Sequence, residues 1–404
     1  MKYNGIIKRV LIVSLFISAL VGLIVFGRGY RINIEQKSLN ATAILVANST
    51  PDGAKIFVNG QLKGATDTNI FLVPGQYRIQ IKKDGFTPWE KTIKIKGEWV
   101  ASINPNLFPL NPSLSPVTTL GIVKAIASPS GNKLLLLTES DDPKKTGIYQ
   151  LDNNRLPISI INPVKLIVPG TAFGSRYVPT DAIISFSPDE KEMLISFSLA
   201  SGIEKTTYLV NVDTLSEQVL DVTQSVDIIK NAWVAQQVKN TNKVIETYKK
   251  PFPKVAIDAF NVIAFSPDEK KILYSVKKTV SLPIIIRPRL IATNQTEEIR
   301  DLLPGELYVY DKTEDKNFRI GEPMADNISN TSSILWYTDS NHLIVRQSDD
   351  IAVVDYDGTN KRVLYAGPFE EEFLSVSSDG KLYILTNLNP QNNNFPDVYA
   401  VGIR

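Results

Sequence analysis

Ile183-Ile184-Ser185-Phe186-Ser187-Pro188-Asp189-Glu190-Lys191 is followed by the apolar run Met193-Leu194-Ile195-Ser196. The same order returns in Val262-Ile263-Ala264-Phe265-Ser266-Pro267-Asp268-Glu269-Lys270, with Ile272-Leu273-Tyr274-Ser275 behind it. Each copy reads as a strand, a tight turn and a second strand, because β-branched and aromatic residues flank a turn built of Ser, Pro and Asp. Weaker copies are Ala127-Ser128-Pro129-Ser130-Gly131, Trp336-Tyr337-Thr338-Asp339-Ser340 and Val376-Ser377-Ser378-Asp379-Gly380. A third strand follows each of them, at Gly147-Ile148-Tyr149, Tyr208-Leu209-Val210, Leu307-Tyr308-Val309-Tyr310-Asp311, Ala352-Val353-Val354-Asp355 and Val398-Tyr399-Ala400-Val401. One small sheet cannot bury both its faces, so the copies must stack around an axis.

The repeated turn resembles that of the propeller blades of TolB-like and WD40-like proteins, over roughly 117–404. The resemblance implies a β-propeller over 116–404 with five blades. The 79-residue gap between Ser187 and Ser266 leaves room for a sixth. The last copy ends on a third strand, so a closed ring needs its final outer strand from the start of the domain, near 116–121. That closure removes a free sheet edge.

Upstream the pattern is a denser β alternation. Tyr77, Ile79 and Ile81 alternate with Arg78, Gln80 and Lys82, and Ile93 and Ile95 alternate with Thr92, Lys94 and Lys96. Pro51-Asp52-Gly53, Asn59-Gly60, Pro74-Gly75 and Asp84-Gly85 punctuate the runs as turns. About seven short strands over 42–110 predict a compact two-sheet sandwich. Pro51-Asp52-Gly53-Ala54, Ile56-Phe57-Val58-Asn59-Gly60, Gly64-Ala65-Thr66, Leu72-Val73-Pro74-Gly75-Gln76-Tyr77 and Gly85-Phe86 resemble, in that order, the landmarks of the PEGA domain. Asp52 replaces the family's Glu, and Asp67 stands where a proline is usual. The resemblance implies a surface or envelope β-module without known catalysis. Pro105, Pro109, Pro112 and Pro116 make the stretch after it an extended connector.

At the N-terminus, Lys2, Lys8 and Arg9 precede a charge-free run over 10–26. At 1.5 Å per residue that run spans about 26 Å of helix, close to the apolar thickness of a bilayer. The expectation is a transmembrane anchor over 10–27, with a cytoplasmic tail at 1–9 and the bulk of the chain extracytoplasmic. A signal peptide competes, but its apolar core is only ~7–15 residues long and a clean small-residue cleavage site is wanting.

Composition removes much chemistry. Forty-four basic residues stand against 42 acidic ones, so net charge gives no reason to expect nucleic-acid binding. There is no cysteine, and His342 is the one histidine, which excludes thiolate chemistry and multi-histidine zinc sites. Asp339, Ser340 and His342 sit too close together in a turn to form a Ser-His-Asp triad. No G-x-S-x-G elbow and no Gly-rich phosphate loop occur. No catalytic residue, cofactor or metal ligand is therefore assigned.

What remains is binding. In antiparallel four-stranded blades, the loops between strands two and three share a face with the blade-to-blade links, and both long insertions, 221–260 and 277–306, fall there. The first carries Lys230, Lys239, Lys243, Lys249, Lys250 and Lys254 with the aromatics Trp233 and Tyr248; the second carries Lys277, Lys278, Arg287 and Arg289. Within 224–248, Ile229, Trp233, Val244 and Tyr248 fall near helical spacing. A basic face with aromatic platforms suits an anionic glycopolymer or lipid headgroups; alternatively the lysines are merely solvated and the aromatics cap the propeller. The expected function is a membrane-anchored binding or scaffolding protein of the cell envelope with protein or glycopolymer partners. A ligand-sensing propeller, or an enzyme acting on envelope glycans through paired carboxylates in the central channel, is the alternative.

Overall fold

The computed structural model describes residues 3–27, 30–33, 38–97, 99–153, 164–198, 205–291, 294–321, 333–370, 372–388, 390 and 394–403. Two compact units emerge, Met1–Leu110 with Pro288–Gln295, and Asn111–Arg287 with Thr296–Arg404.

The first unit opens with helix α1 (Tyr3–Gly27) and a hairpin of β1 (Tyr30–Asn33) and β2 (Ser38–Ala41). The expected anchor is corrected here. Among the described residues no helix is long and apolar enough to cross a membrane. The part of α1 whose side chains are described, 9–24, begins with Arg9 and is exposed throughout. This overturns the single-pass span over 10–27 and the localisation drawn from it, with its cytoplasmic tail and extracytoplasmic bulk.

The sandwich that follows has seven strands, β3 (Ala43–Ala47), β4 (Lys55–Val58), β5 (Gln61–Ala65), β6 (Thr68–Leu72), β7 (Gly75–Lys82), β8 (Trp89–Ile95) and β9 (Val100–Ile103). They form sheets ordered β6-β3-β9 and β5-β4-β7-β8, with β3 and β9 parallel. The period-two reading holds. Ile79, Ile81, Ile93 and Ile95 join Leu45 and Ile56 in the core, while Arg78 and Lys82 face out. Asn59 and Gly60 both take positive φ, as the twist of a two-residue hairpin demands. The Thr66 hydroxyl accepts the Ala54 N–H at 2.9 Å and lies 2.8 Å from the Ser49 hydroxyl, so a small buried network latches 51–54 to β5.

Among the described residues the second unit holds five four-stranded antiparallel sheets in chain order, a β-propeller-like array. The first has β11 (Ile122–Ala127), β12 (Lys133–Thr138), β13 (Gly147–Asp152) and β14 (Val164–Pro169); the second has β15 (Ile183–Phe186), β16 (Glu192–Ser198), β17 (Lys205–Asn211) and β18 (Leu220–Asp221). In the third, β19 (Phe260–Phe265), β20 (Lys271–Val276), β23 (Leu307–Asp311) and β24 (Lys316–Gly321) are interrupted by a separate ladder of β21 (Val280–Ser281) and β22 (Asp301–Leu302). The fourth has β25 (Ile334–Trp336), β26 (His342–Arg346), β27 (Ile351–Asp355) and β28 (Arg362–Tyr365). The fifth joins β29 (Leu374–Val376), β30 (Leu382–Thr386) and β31 (Asp397–Gly402) to β10 (Ser113–Pro116), from the beginning of the unit.

That last pairing is the expected closure, displaced by a few residues. Ser113 pairs with Gly402 and Pro116 with Tyr399. The displacement has a cause: the buried Asp397 carboxylate accepts the Thr118 hydroxyl at 2.9 Å and the Leu120 N–H at 2.7 Å, bending 118–121 out of the ladder. Among the described residues no sixth sheet occupies the 79-residue gap, whose stretch beyond β18 holds helices α2 (Val226–Ile245) and α3 (Phe252–Ala259).

The repeated turns link neighbouring sheets. In each strong copy the Ser side chain bonds the Asp two residues on, and its oxygen accepts the first N–H of the next strand. Glu190 then bonds Ser130 N–H and Oγ at 2.6 Å each, tying the second sheet to the first. The Asp268 N–H donates to Ser340 Oγ at 3.1 Å, and Tyr337 OH to the Gly380 carbonyl at 3.1 Å. Between the fifth sheet and the first, Ser378 Oγ donates to the Asn153 carbonyl at 3.1 Å.

Candidate functional site

The insertion 221–260 folds as the helical spacing predicted, but its faces sort differently. Lys230, Lys239, Lys243, Lys249, Lys250 and Lys254 all point to solvent. Tyr248 does not. It is buried, stacks on Phe252 at 5.2 Å and donates to the Glu269 carbonyl at 3.2 Å, while Phe252 stacks on Tyr310 at 4.1 Å. Burial first, then the nearby Asp311, Glu269 and Asp268, push its phenol well above the usual range. Tyr248 is therefore an anchor holding the turn between α2 and α3 on the third sheet, beside Ile245, Ala256 and Phe260. Trp233 is half-buried, whereas Ile228, Val234 and Val238 are exposed, so most of α2 stands clear of the core. Its hydrophobic residues do not gather on one stripe, because Gln236, Gln237 and Asn240 break the run.

Lys254, Lys277 and Lys278, distant in sequence, converge. Lys278 reaches Asp258 at 2.7 Å, and this hydrogen bond, with the charges of Lys278, Lys277 and Lys254, holds Asp258 below the usual carboxylate range. One acid thus stands among three bases. Arg287 is exposed; Arg289 is half-buried and lies in the stretch Pro288–Gln295 that clusters with the first unit.

A buried network absent from the sequence reading fixes the second insertion. Asp315 is fully buried, and its Oδ2 accepts the Ile285 and Ile286 N–H groups at 2.8 and 2.9 Å. Its Oδ1 accepts Tyr310 OH at 3.0 Å and Arg300 at 3.3 Å. Arg300 also donates to the Pro283 carbonyl at 2.7 Å. Separation in sequence hid this set, since an acid in a β-turn gives no sign of a partner 29 residues away.

His342 sits 2.6 Å from Asp339 through Nδ1 and 3.3 Å from Asp355 through Nε2, nearly wholly buried. Burial opposes its charge, but the hydrogen bonds and charges of the two carboxylates prevail and raise its pKa to about 9. Both ring nitrogens are engaged, and Ser340 Oγ accepts from the next sheet. These three residues form a structural clasp and leave no ring nitrogen to activate a hydroxyl.

The second sheet carries an open cleft of about 590 Å³ lined by Arg176, Lys205, Thr206, Asp221, Gln224 and Ser225, with Val222 and Thr223 between them. Arg176 ends a 3₁₀ helix in the link from the first sheet, Lys205 and Thr206 open β17, and 221–225 begins the link to α2. All three segments meet on the face where the two long insertions lie. Hydrogen bonds from the Thr223 hydroxyl and N–H, with Arg176 nearby, keep Asp221 below the usual carboxylate range.

The fold thus pairs a small two-sheet sandwich with a propeller-like array. The sequence profile of the PEGA domain matches residues 42–111, the whole of that sandwich. No curated protein matches the chain. Among solved structures, it is similar to oligogalacturonate lyase from Vibrio parahaemolyticus at 8% identity, over 87% of this chain and 97% of that one, with a TM-score of 0.27. It is similar also to the β-propeller domain of the Trilobed protease from Pyrococcus furiosus (14% identity, 86% and 80% coverage, TM-score 0.16) and to Pyrococcus horikoshii acylaminoacyl peptidase (12%, 66% and 35%, 0.19). Likenesses this low carry nothing about activity.

Proposed function

We propose that this is a non-enzymatic binding or scaffolding protein whose partner is a polyanion, met through the basic insertions of the third sheet. The observation that carries the reading is the sorting of side chains there: six lysines of 230–254 face water while Tyr248 and Phe252 turn inward to hold the helices on the sheet. Such a rigidly seated basic surface attracts anionic polymers by summed charge, without a shaped pocket. The glycan-acting enzyme is the weaker reading. The first strands β11, β15, β19, β25 and β29 contain no Asp or Glu, so that reading finds no paired carboxylates on them to rest on.

The test is binding of the full chain to dextran sulfate, with neutral dextran as control. Replacing Lys249 and Lys250 by Gln, and separately Lys254, Lys277 and Lys278, is expected to weaken binding about three- to tenfold and to flatten its salt dependence. Unchanged affinity in both variants removes the reading.

A further inference from the structure

We propose that the cleft of the second sheet is a separate site for a small polyhydroxylated anion, a sugar acid or sugar phosphate. Two cations, Arg176 and Lys205, share a cavity within the ~300–1,000 Å³ typical of small-ligand sites. Arg176 is positioned from within, since its Nη1 donates to Tyr208 OH at 3.2 Å, and Tyr208 packs edge-on against Phe173. The guanidinium is therefore tied at one nitrogen to a packed aromatic side chain, which helps to orient an anion-recognising fork.

The neutral groups complete the chemistry. Thr206 is 8% exposed, and among the described residues its hydroxyl has no hydrogen-bond partner although it lines the cavity. The Gln224 amide and Ser225 hydroxyl are likewise unengaged there, and no side chain caps the first turn of α2 at Ser225. Thr223 donates to Asp221 Oδ1 at 2.6 Å, orienting that carboxylate, whose Oδ2 is available to accept a ligand hydroxyl. Cations for one acidic group, an acceptor for hydroxyls and three unspent polar side chains suit a sugar bearing one negative charge. A simple inorganic anion would leave Asp221 opposing it, and a neutral sugar would leave Lys205 without a counter-charge.

The site shares no residue with the polyanion surface, so the two readings stand or fall apart. Titration calorimetry of the full chain with glucuronate, glucose 6-phosphate and glucose tests it. Saturable binding of at least one of the two anions, with none of glucose, is expected. Lys205→Gln and Arg176→Gln should each weaken it about tenfold while leaving dextran sulfate binding unchanged. The stronger of the two anions identifies the acidic group. Should Arg176→Gln fold poorly through loss of its Tyr208 contact, Lys205→Gln and Gln224→Ala carry the comparison from the exposed rim. No saturable binding of either anion up to about 10 mM, equal binding of glucose, or binding indifferent to Lys205 would overturn the proposal.

Discussion

The turn that repeats through the second unit puts its fourth residue in the left-handed region, and the copies solve this unequally. Gly131 and Gly380 sit there at φ 74° and 84°, but Glu190, Glu269 and Ser340 do so at 56°, 54° and 60°. A side chain at positive φ costs roughly 1 kcal/mol that glycine avoids. Glu269→Gly should therefore raise stability by about 0.5–1 kcal/mol, because among the described residues its carboxylate holds nothing. Glu190→Gly has the same backbone relief yet loses both bonds to Ser130, so it should lower stability. Urea midpoints for the pair check this; equal shifts would refute the distinction. His342 gives a second outcome. Its folded pKa of about 9 lies above the ordinary 6.5, so its contribution is complete below pH 6.5 and is lost as pH rises through 9. Against His342→Gln, the wild type should be more stable at pH 6, by at most about 3 kcal/mol, and the gap should close by pH 10. A gap that widens with pH contradicts the clasp.

At the scale of elements, the Ser-Pro-Asp turns and the Asn-Gly hairpin were legible because each is local: turn chemistry and flanking alternation sit within a dozen residues. The helix over 226–245 was legible in extent but not in orientation, since only its last turn reaches the core through Ile245. Tyr248 read as a platform because an aromatic among lysines looks the same whether it faces water or Phe252. The cleft was wholly hidden, being assembled from three segments spread over 176–225. Closure was half legible: the open edge of the last copy demanded a strand, but the pull of Asp397 on 118–121 decided which one. Asp397→Ala should strand the Leu120 and Gly121 N–H groups and cost about 3 kcal/mol. Hydrogen exchange at Leu120 and Gly121 should accelerate with it. Unaltered protection there would mean that β10 pairs without help from the carboxylate.

For the whole molecule, the decisive fact is that each unit has an apolar interior of its own among the described residues. The sandwich core is built entirely from 43–107, and the cores of the propeller-like array draw on residues from 122 onward. Each unit therefore has its own hydrophobic reason to fold. Ile79 is fully buried in the first and Leu343 in the second. Truncating either to Ala removes a core side chain worth about 2–5 kcal/mol. Calorimetry of the intact chain should resolve two transitions, with Ile79→Ala lowering one and Leu343→Ala the other. One transition moved equally by both would show that the units melt as a single body, and glucuronate should then shift the whole of it. With two, a ligand in the cleft of the second sheet should raise only the transition that Leu343→Ala lowers, which places the bound sugar in the array and leaves the sandwich untouched.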